Sequence, residues 1–236
     1  MLGSLLLPEE LSKTSRLYLS CVTLLSRFEF RNFVRESTPA DDTLERVTRE
    51  TRFVLGFFQK NHYVAPVWDE LLVRFRTSLE FSQLFRREEV ASIVVHVRRG
   101  DYLDPNTRKY HGFSSNEYYE TACQLLSNLT GCSSYMVVSD DLIGAKTQLE
   151  SSRFFSQSRV QFVSGLNEIE TLSLMASARG VVASNSSFSW WGARLCWALK
   201  SGVVALPKPW LAQDGPSDNQ LHPLDHRWIA VPRLVT

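Results

Sequence analysis

The sequence predicts an α/β fold organised around a parallel β-sheet, and three observations carry that prediction. Beyond residue 90, short and continuously apolar runs alternate with segments of helical period. Such runs mark strands buried on both faces, the condition of a parallel sheet covered by crossover helices. The alternation is regular, so right-handed crossovers make the sheet Rossmann-like. Finally, 236 residues, 44% hydrophobic and 22% charged, form an ordinary globular composition. A chain of that length buries roughly 70–75% of the surface its unfolded state exposes, so its core needs neither disulfides nor a structural metal.

The elements follow in order. Residues 9–90 are mostly helical in pattern: Leu17, Leu24, Leu25 and Phe28 recur at three- and four-residue intervals, as do Leu71, Leu72, Phe75 and Leu79. Between these faces, Ser37-Thr38-Pro39-Ala40-Asp41-Asp42 reads as a loop able to cap the next helix. The apolar run Phe53-Val54-Leu55-Gly56-Phe57-Phe58 fits helix and strand equally. Strands are then expected at residues 91–97, 135–138, 160–163, 181–183 and 203–206, and helices at 116–128, 142–150, 167–178 and 188–200. This sets a domain boundary at residue 90, with a helical portion over 1–90 and a Rossmann-like domain over 91–236.

Charge narrows the function classes. Residues 1–90 hold 13 basic and 13 acidic side chains, and residues 91–236 hold 13 and 12. A sequence-independent grip on nucleic acid or an anionic membrane needs clustered excess Lys and Arg, so neither partner is expected. Any anion is bound locally. No apolar run approaches the ~20 residues of a membrane span, and Met1–Leu7 runs straight into Pro8-Glu9-Glu10 without a basic leader region. The four cysteines, Cys21, Cys123, Cys132 and Cys196, form no Cys-x-x-Cys pair, which disfavours a zinc site or redox motif. Asn128-Leu129-Thr130 and Asn185-Ser186-Ser187 fit the short glycosylation pattern.

In open parallel sheets ligands bind beyond the carboxyl ends of the strands, near the point where strand order reverses, so the loops there carry the chemistry. The first strand ends in His96-Val97-Arg98-Arg99-Gly100-Asp101. Two arginines beside a glycine turn and an orienting aspartate make an anion clamp, or an exposed basic turn closed by its own salt bridge. Strand alternation puts His96 and Arg98 on one face and turns Arg99 away, so two charges reach one ligand from two directions. The tripeptide Arg99-Gly100-Asp101 also matches a short adhesion sequence. The second strand ends in Ser139-Asp140-Asp141, where an aspartate accepts hydrogen bonds from a nucleoside or caps the following helix. The fourth runs into Ser184-Asn185-Ser186-Ser187-Phe188, small polar residues at the positive end of a helix, which suits phosphate or serves as a plain cap and turn. Trp190, Trp191 and Trp197 read as core.

Together, His96-Val97-Arg98-Arg99-Gly100-Asp101, Ser139-Asp140-Asp141 and the segment from Ser184 through Trp190-Trp191-Gly192-Ala193 resemble the motif set of the α-1,2-fucosyltransferases of glycosyltransferase family 11. The likeness runs from about Gly56 to Trp210 and includes Tyr118-Tyr119 and Leu172-Ser173-Leu174-Met175. It implies a GT-B-like architecture, with GDP-fucose and a galactose-terminated glycan held between two Rossmann-like halves, and inverting transfer without a metal. It places catalysis at His96, Arg98, Arg99 and Asp101, the arginines on the diphosphate and Asp101 holding their loop. Ser139, Asp140 and Asp141 would lie near the nucleotide, and Ser184, Asn185, Ser186, Ser187 and Phe188 would meet phosphate. A eukaryotic member would be held in the Golgi by a membrane anchor; a bacterial one would be cytoplasmic or membrane-peripheral.

The family's strand, glycine-rich loop and helix bearing Gly-Asn-Gln have no counterpart in residues 1–50. Thr171 stands where an acidic residue is usual, and Gly144-Ala145 where aromatic and cysteine residues are common. The resemblance therefore covers the donor half more fully than the acceptor half, and a nucleotide-sugar-binding protein without turnover is the alternative. The expected chemistry is consistent with the residues. As the bond from fucose to phosphate lengthens, negative charge grows on GDP, and guanidinium groups and a helix N-terminus aimed at it favour the transition state over the ground state. A base, a carboxylate or a histidine within hydrogen-bond reach, must take the acceptor proton; His96 is nearest the motif and reads equally as a structural strand residue.

Overall fold

The computed structural model describes residues 33–35, 46–51, 53–55, 60–79, 81, 90–213 and 216–234. The helical pattern over Leu17 to Phe28 and the loop at residues 37–42 lie outside the described residues. The chain divides into two compact units, Met1–Phe58 and Gln59–Thr236. In the first, β1 (Phe33–Arg35) and β2 (Phe53–Leu55) pair in parallel, Val34 opposite Val54. The undecided apolar run at Phe53 is thus a strand where it is described.

The second unit opens with α1 (Asn61–Val64), a 3-10 turn, and α2 (Trp68–Thr77). The unit boundary at 58/59 precedes the one expected at 90, for a packing reason. Trp68 stacks on Trp191 at 6.3 Å between ring centroids and takes the Arg194 guanidinium 4.4 Å from its ring centre. With Phe81, Ala176 and Leu195 it forms a buried cluster, which joins the 60–81 segment to the Rossmann-like body.

That body continues through β3 (Val90–Val97), α3 (Pro105–His111), α4 (Asn116–Thr130), β4 (Ser134–Ser139), α5 (Leu142–Glu150) and α6 (Arg153–Ser156). It ends with β5 (Arg159–Phe162), α7 (Glu168–Ser177), β6 (Ala178–Val182), α8 (Ser187–Lys200), β7 (Val203–Lys208), α9 (Asp218–Leu221) and β8 (Trp228–Pro232). Every strand and helix expected beyond residue 90 is present, with ends shifted by a few residues. The sequence reading passed over α3, α6, α9 and β8, which are short or follow a proline.

The six strands are ordered β5-β4-β3-β6-β7-β8, and every neighbouring pair is parallel. Winding out from β3 to β5, then back beside β3 and out again, is the order of a dinucleotide-binding sheet, with its reversal between β3 and β6. Strand alternation divides the core. Ile93, Val95 and Val97 join Tyr118, Tyr119, Ala122 and Leu126 of α4 on one face; Val94 joins Met175, Trp190, Ala193 and Cys196 on the other. Trp190 is buried and Trp191 and Trp197 pack against the same cluster, so the tryptophans are core.

Helix starts follow their caps. Asp104, Ser115, Asp141 and Ser152 accept first-turn N–H groups of α3, α4, α5 and α6. Asn167 and Glu170 close a capping box on α7. At α8 the capping residue Ser186 makes no such side-chain bond, so the first-turn N–H groups keep their hydrogen-bonding capacity.

Candidate active site

The carboxyl ends of β3, β4 and β5 and the start of α8 enclose a cleft of about 370 Å³. Its polar lining includes His96, Arg98, Ser139, Asp140, Asn167 and Glu168, with Ser164 and Thr171; Leu142, Val163, Leu166 and Phe188 give it apolar walls. Of the residues the sequence singles out, His96, Arg98, Ser139, Asp140 and Phe188 meet here. Arg99, Asp101, Asp141 and residues 184–187 are not among the residues that line it.

Arg98 is held by two carboxylates. Its Nε donates to Asp101 Oδ1 at 3.0 Å, one terminal nitrogen is 2.8 Å from the same oxygen, and the other is 2.9 Å from Asp140 Oδ2. Arg99 turns away, as strand alternation requires. Its Nε donates to Asp141 Oδ2 at 3.0 Å, Nη1 donates to Gln148 Oε1 at 2.6 Å, and the guanidinium lies 5.4 Å from the Phe113 ring centre. Its backbone N–H donates to Asp140 Oδ1 at 2.9 Å, which ties the two strand-end motifs together. Of the two guanidiniums expected to reach one ligand, Arg98 lines the cleft and Arg99 does not. In Arg99-Gly100-Asp101 both charged side chains are paired, Arg99 with Asp141 and Asp101 with Arg98, although Asp101 stays exposed.

The adjacent aspartates divide their work. Asp140 faces the cleft, whereas Asp141 caps α5, accepting the Gly144 N–H at 2.9 Å. That bond and the Arg99 guanidinium hold the Asp141 carboxyl below its ordinary pKa. Two glycines make the arrangement possible by close approach. A Cβ at Gly100 would sit 2.3 Å from Asp140 Oδ2, and one at Gly144 would sit 2.1 Å from Asp141 Oδ2 and 2.6 Å from Arg99 Nε. Gly144, a departure from the resembled pattern, thus gives room to the Arg99–Asp141 pair.

His96 is buried, and its Nδ1 lies 2.9 Å from Ser184 Oγ, leaving Nε2 for the cleft it lines. Burial, helped by Arg98 and opposed by Asp140, lowers its pKa from 6.5 to about 4, so the ring is neutral near pH 7. Phe188 packs on it, ring centroids 5.4 Å apart. Ser184, Asn185 and Ser186 are buried and act on the loop itself. The Ser184 N–H donates to Ser189 Oγ at 3.0 Å, Tyr102 O–H donates to the Asn185 carbonyl at 2.6 Å, and Tyr118 O–H donates to the Ala183 carbonyl.

With His96 neutral, the guanidiniums of Arg98 and Arg99 stand against four carboxylates, those of Asp101, Asp140, Asp141 and Glu168. Net charge therefore does not favour an anion here; an anion would depend on local donors such as Arg98. The sequence reading missed the loop after β5, residues 163–168, and Thr171. No charge pair or serine run marks that loop; its only signal is that it follows a strand end. No group of three or more His, Cys, Asp or Glu suited to a metal ion occurs among the described residues.

The model of glycosyl transferase family 11 matches residues 18–220. The α-1,2-colitosyltransferase of Escherichia coli is 29% identical over 189 residues, covering 76% of this chain and 62% of that protein. The Escherichia coli O-antigen biosynthesis glycosyltransferase WbnK is 30% identical over 135 residues, covering 55% of this chain and 42% of that protein. The chain thus spans less than two thirds of either relative. Among solved structures, apo POFUT1 aligns with a TM-score of 0.34 and 13% identity, over 69% of this chain and 56% of that one. POFUT1 in complex with GDP-fucose aligns with a TM-score of 0.34 and 12% identity, over 82% and 57%.

Proposed function

The chain belongs to glycosyltransferase family 11, and from that premise we propose that it carries the donor side of a galactoside α-1,2-L-fucosyltransferase. The observation that supports this reading best is the meeting of His96 and Arg98 with the start of α8 across the reversal point of the sheet. In the proposed reaction the 2-hydroxyl oxygen of a terminal galactose bonds to the anomeric carbon of fucose as the bond from that carbon to the GDP phosphate oxygen breaks. The configuration inverts, the electron pair leaves with GDP, and the acceptor proton passes to a base.

Arg98 and the first-turn N–H groups of α8 stabilise the charge that grows on the departing diphosphate. They take the part a metal plays elsewhere, so the proposed reaction is metal-independent. Arg99 acts from behind, fixing Asp140 and Asp141. With Nδ1–H donating a hydrogen bond to Ser184 Oγ, neutral His96 keeps Nε2 unprotonated and able to accept a hydrogen bond, or the acceptor's proton, in the cleft; the His96–Ser184 contact supports that tautomer.

Incubation with GDP-fucose and a panel of galactosides tests the reading: fucosylated product that is insensitive to EDTA is expected. Tight GDP binding in a calorimeter with no product from any acceptor sinks the catalytic claim and leaves a nucleotide-sugar-binding protein. The relative named α-1,2-colitosyltransferase favours a second reading in which the transferred sugar is colitose. Replacing GDP-fucose with nucleotide-activated colitose in the same panel decides between them.

A further inference from the structure

Arg233, just past the end of β8, is 6% exposed, and no ion pair involves it among the described residues. A buried cation without a counter-ion is costly, and burial lowers the pKa of this guanidinium. Main-chain carbonyls take the place of an anion. Nε donates to Pro209 O at 2.7 Å, and Nη2 donates to Trp210 O at 2.9 Å and to His111 O at 2.6 Å. The last is the terminal carbonyl of α3, one of those a helix leaves without an internal partner and the end that favours a cation.

The same His111 carbonyl accepts a second bond, from Asn185 Nδ2 at 2.6 Å. Asn185 lies in the loop between β6 and α8, and its own carbonyl takes the Tyr102 hydroxyl. The Tyr102 ring stacks on His111 at 4.9 Å and lies 5.9 Å from the Arg98 guanidinium. One residue, His111, thus joins Arg233 to both sides of the cleft's anion-facing edge. From this geometry we infer that Arg233 is a positioning residue for the 184–187 loop: by holding the His111 carbonyl it fixes Asn185, and with it the start of α8 opposite Arg98. The inference rests on the proposed reading of the start of α8 as part of the donor-phosphate site.

The test compares Arg233→Lys in the native background and in Asn185→Ala, reading amide hydrogen exchange by segment, GDP affinity by calorimetry, and steady-state kinetics. In the native background, exchange is expected to rise at residues 184–189 while β3 and β4 stay protected. GDP binding weakens in parallel, and kcat/KM falls by up to ~10²-fold, the loss a misplacement of about 1 Å can cause. In Asn185→Ala the same change is expected to add nothing, since the connection is already cut. Unchanged loop exchange in Arg233→Lys, or equal and additive losses in the two backgrounds, overturns the inference. A wild-type chain that binds no GDP removes the donor reading, and the exchange measurements still decide whether Arg233 holds the loop.

Discussion

His96 Nδ1 and Ser184 Oγ meet at 2.9 Å, joining the end of β3 to the loop that follows β6. These strands are neighbours only because the sheet reverses its winding between them, so the bond exists only in the completed fold. It fixes the histidine ring and leaves one nitrogen for the cleft.

Acid sensitivity follows from burial. His96 and His222 have pKa values lowered by burial from 6.5 to about 4 and about 3. Between pH 6.5 and their folded values the unfolded chain binds protons that the native chain does not, so stability is full above pH 6.5 and falls as pH drops. Well below 6.5, each histidine costs about a tenfold loss in the folding constant per pH unit. Both ring nitrogens of His222 are without a hydrogen-bond partner among the described residues, and its ring packs against Trp210 and Trp228. Thermal unfolding from pH 7 to 4.5 is therefore expected to show a shallower decline in His222→Phe than in the wild type; equal slopes refute this account.

The two arginines of the strand-end motif should separate kinetically. Arg98 lines the cleft, so Arg98→Ala is expected to lower kcat/KM by on the order of 10²–10³-fold, the range for removing a group that stabilises developing charge. Arg99 acts through Asp140 and Asp141, and Arg99→Lys should lose less than Arg98→Lys. The reverse order in steady-state assays would place Arg99 on the substrate.

Gly100→Ala should impair donor binding with little change in stability. The added methyl group would meet Asp140 Oδ2 at 2.3 Å, and that carboxylate, the end of a partly exposed side chain, can move aside at small cost. Once moved it no longer holds Arg98. Urea unfolding is expected to shift by no more than ~0.5 kcal/mol, as for surface changes generally, while GDP affinity drops.

Arg194 offers a stability test away from the cleft. It is 3% exposed, donates to Asn61 Oδ1 at 2.7 Å, and lies 4.4, 5.2 and 5.6 Å from the ring centres of Trp68, Trp190 and Trp197. Lysine keeps the charge but not the planar group that stacks on indole, so Arg194→Lys is expected to destabilise by ~1–3 kcal/mol in urea unfolding. A variant as stable as the wild type would show that the tryptophans need only a filled space.

Much of the fold was legible because its signals are local. The apolar period of residues 91–206 placed five strands and four helices, though not the short α3 and α6, and Asp141 announced a helix start that depends on a side chain and a backbone N–H three residues on. The division of the chain was not legible, because Trp68 belongs with Trp191 and Arg194 through a contact between residues far apart in sequence. In the site, alternation along β3 already separated Arg98 from Arg99. It could not say that Arg99 would be taken up by Asp141 and Gln148, or that Asn185 would face His111.

The sequence by itself determined the α/β class, the family and the strand-end loops that gather into a site, because periodicity and motif order are properties of the chain. Strand order, the reversal between β3 and β6, and the partner of each buried polar group were decided by tertiary structure. Each buried donor, acceptor or charge must find compensation within the space that folding leaves it, and that space is set by every element at once.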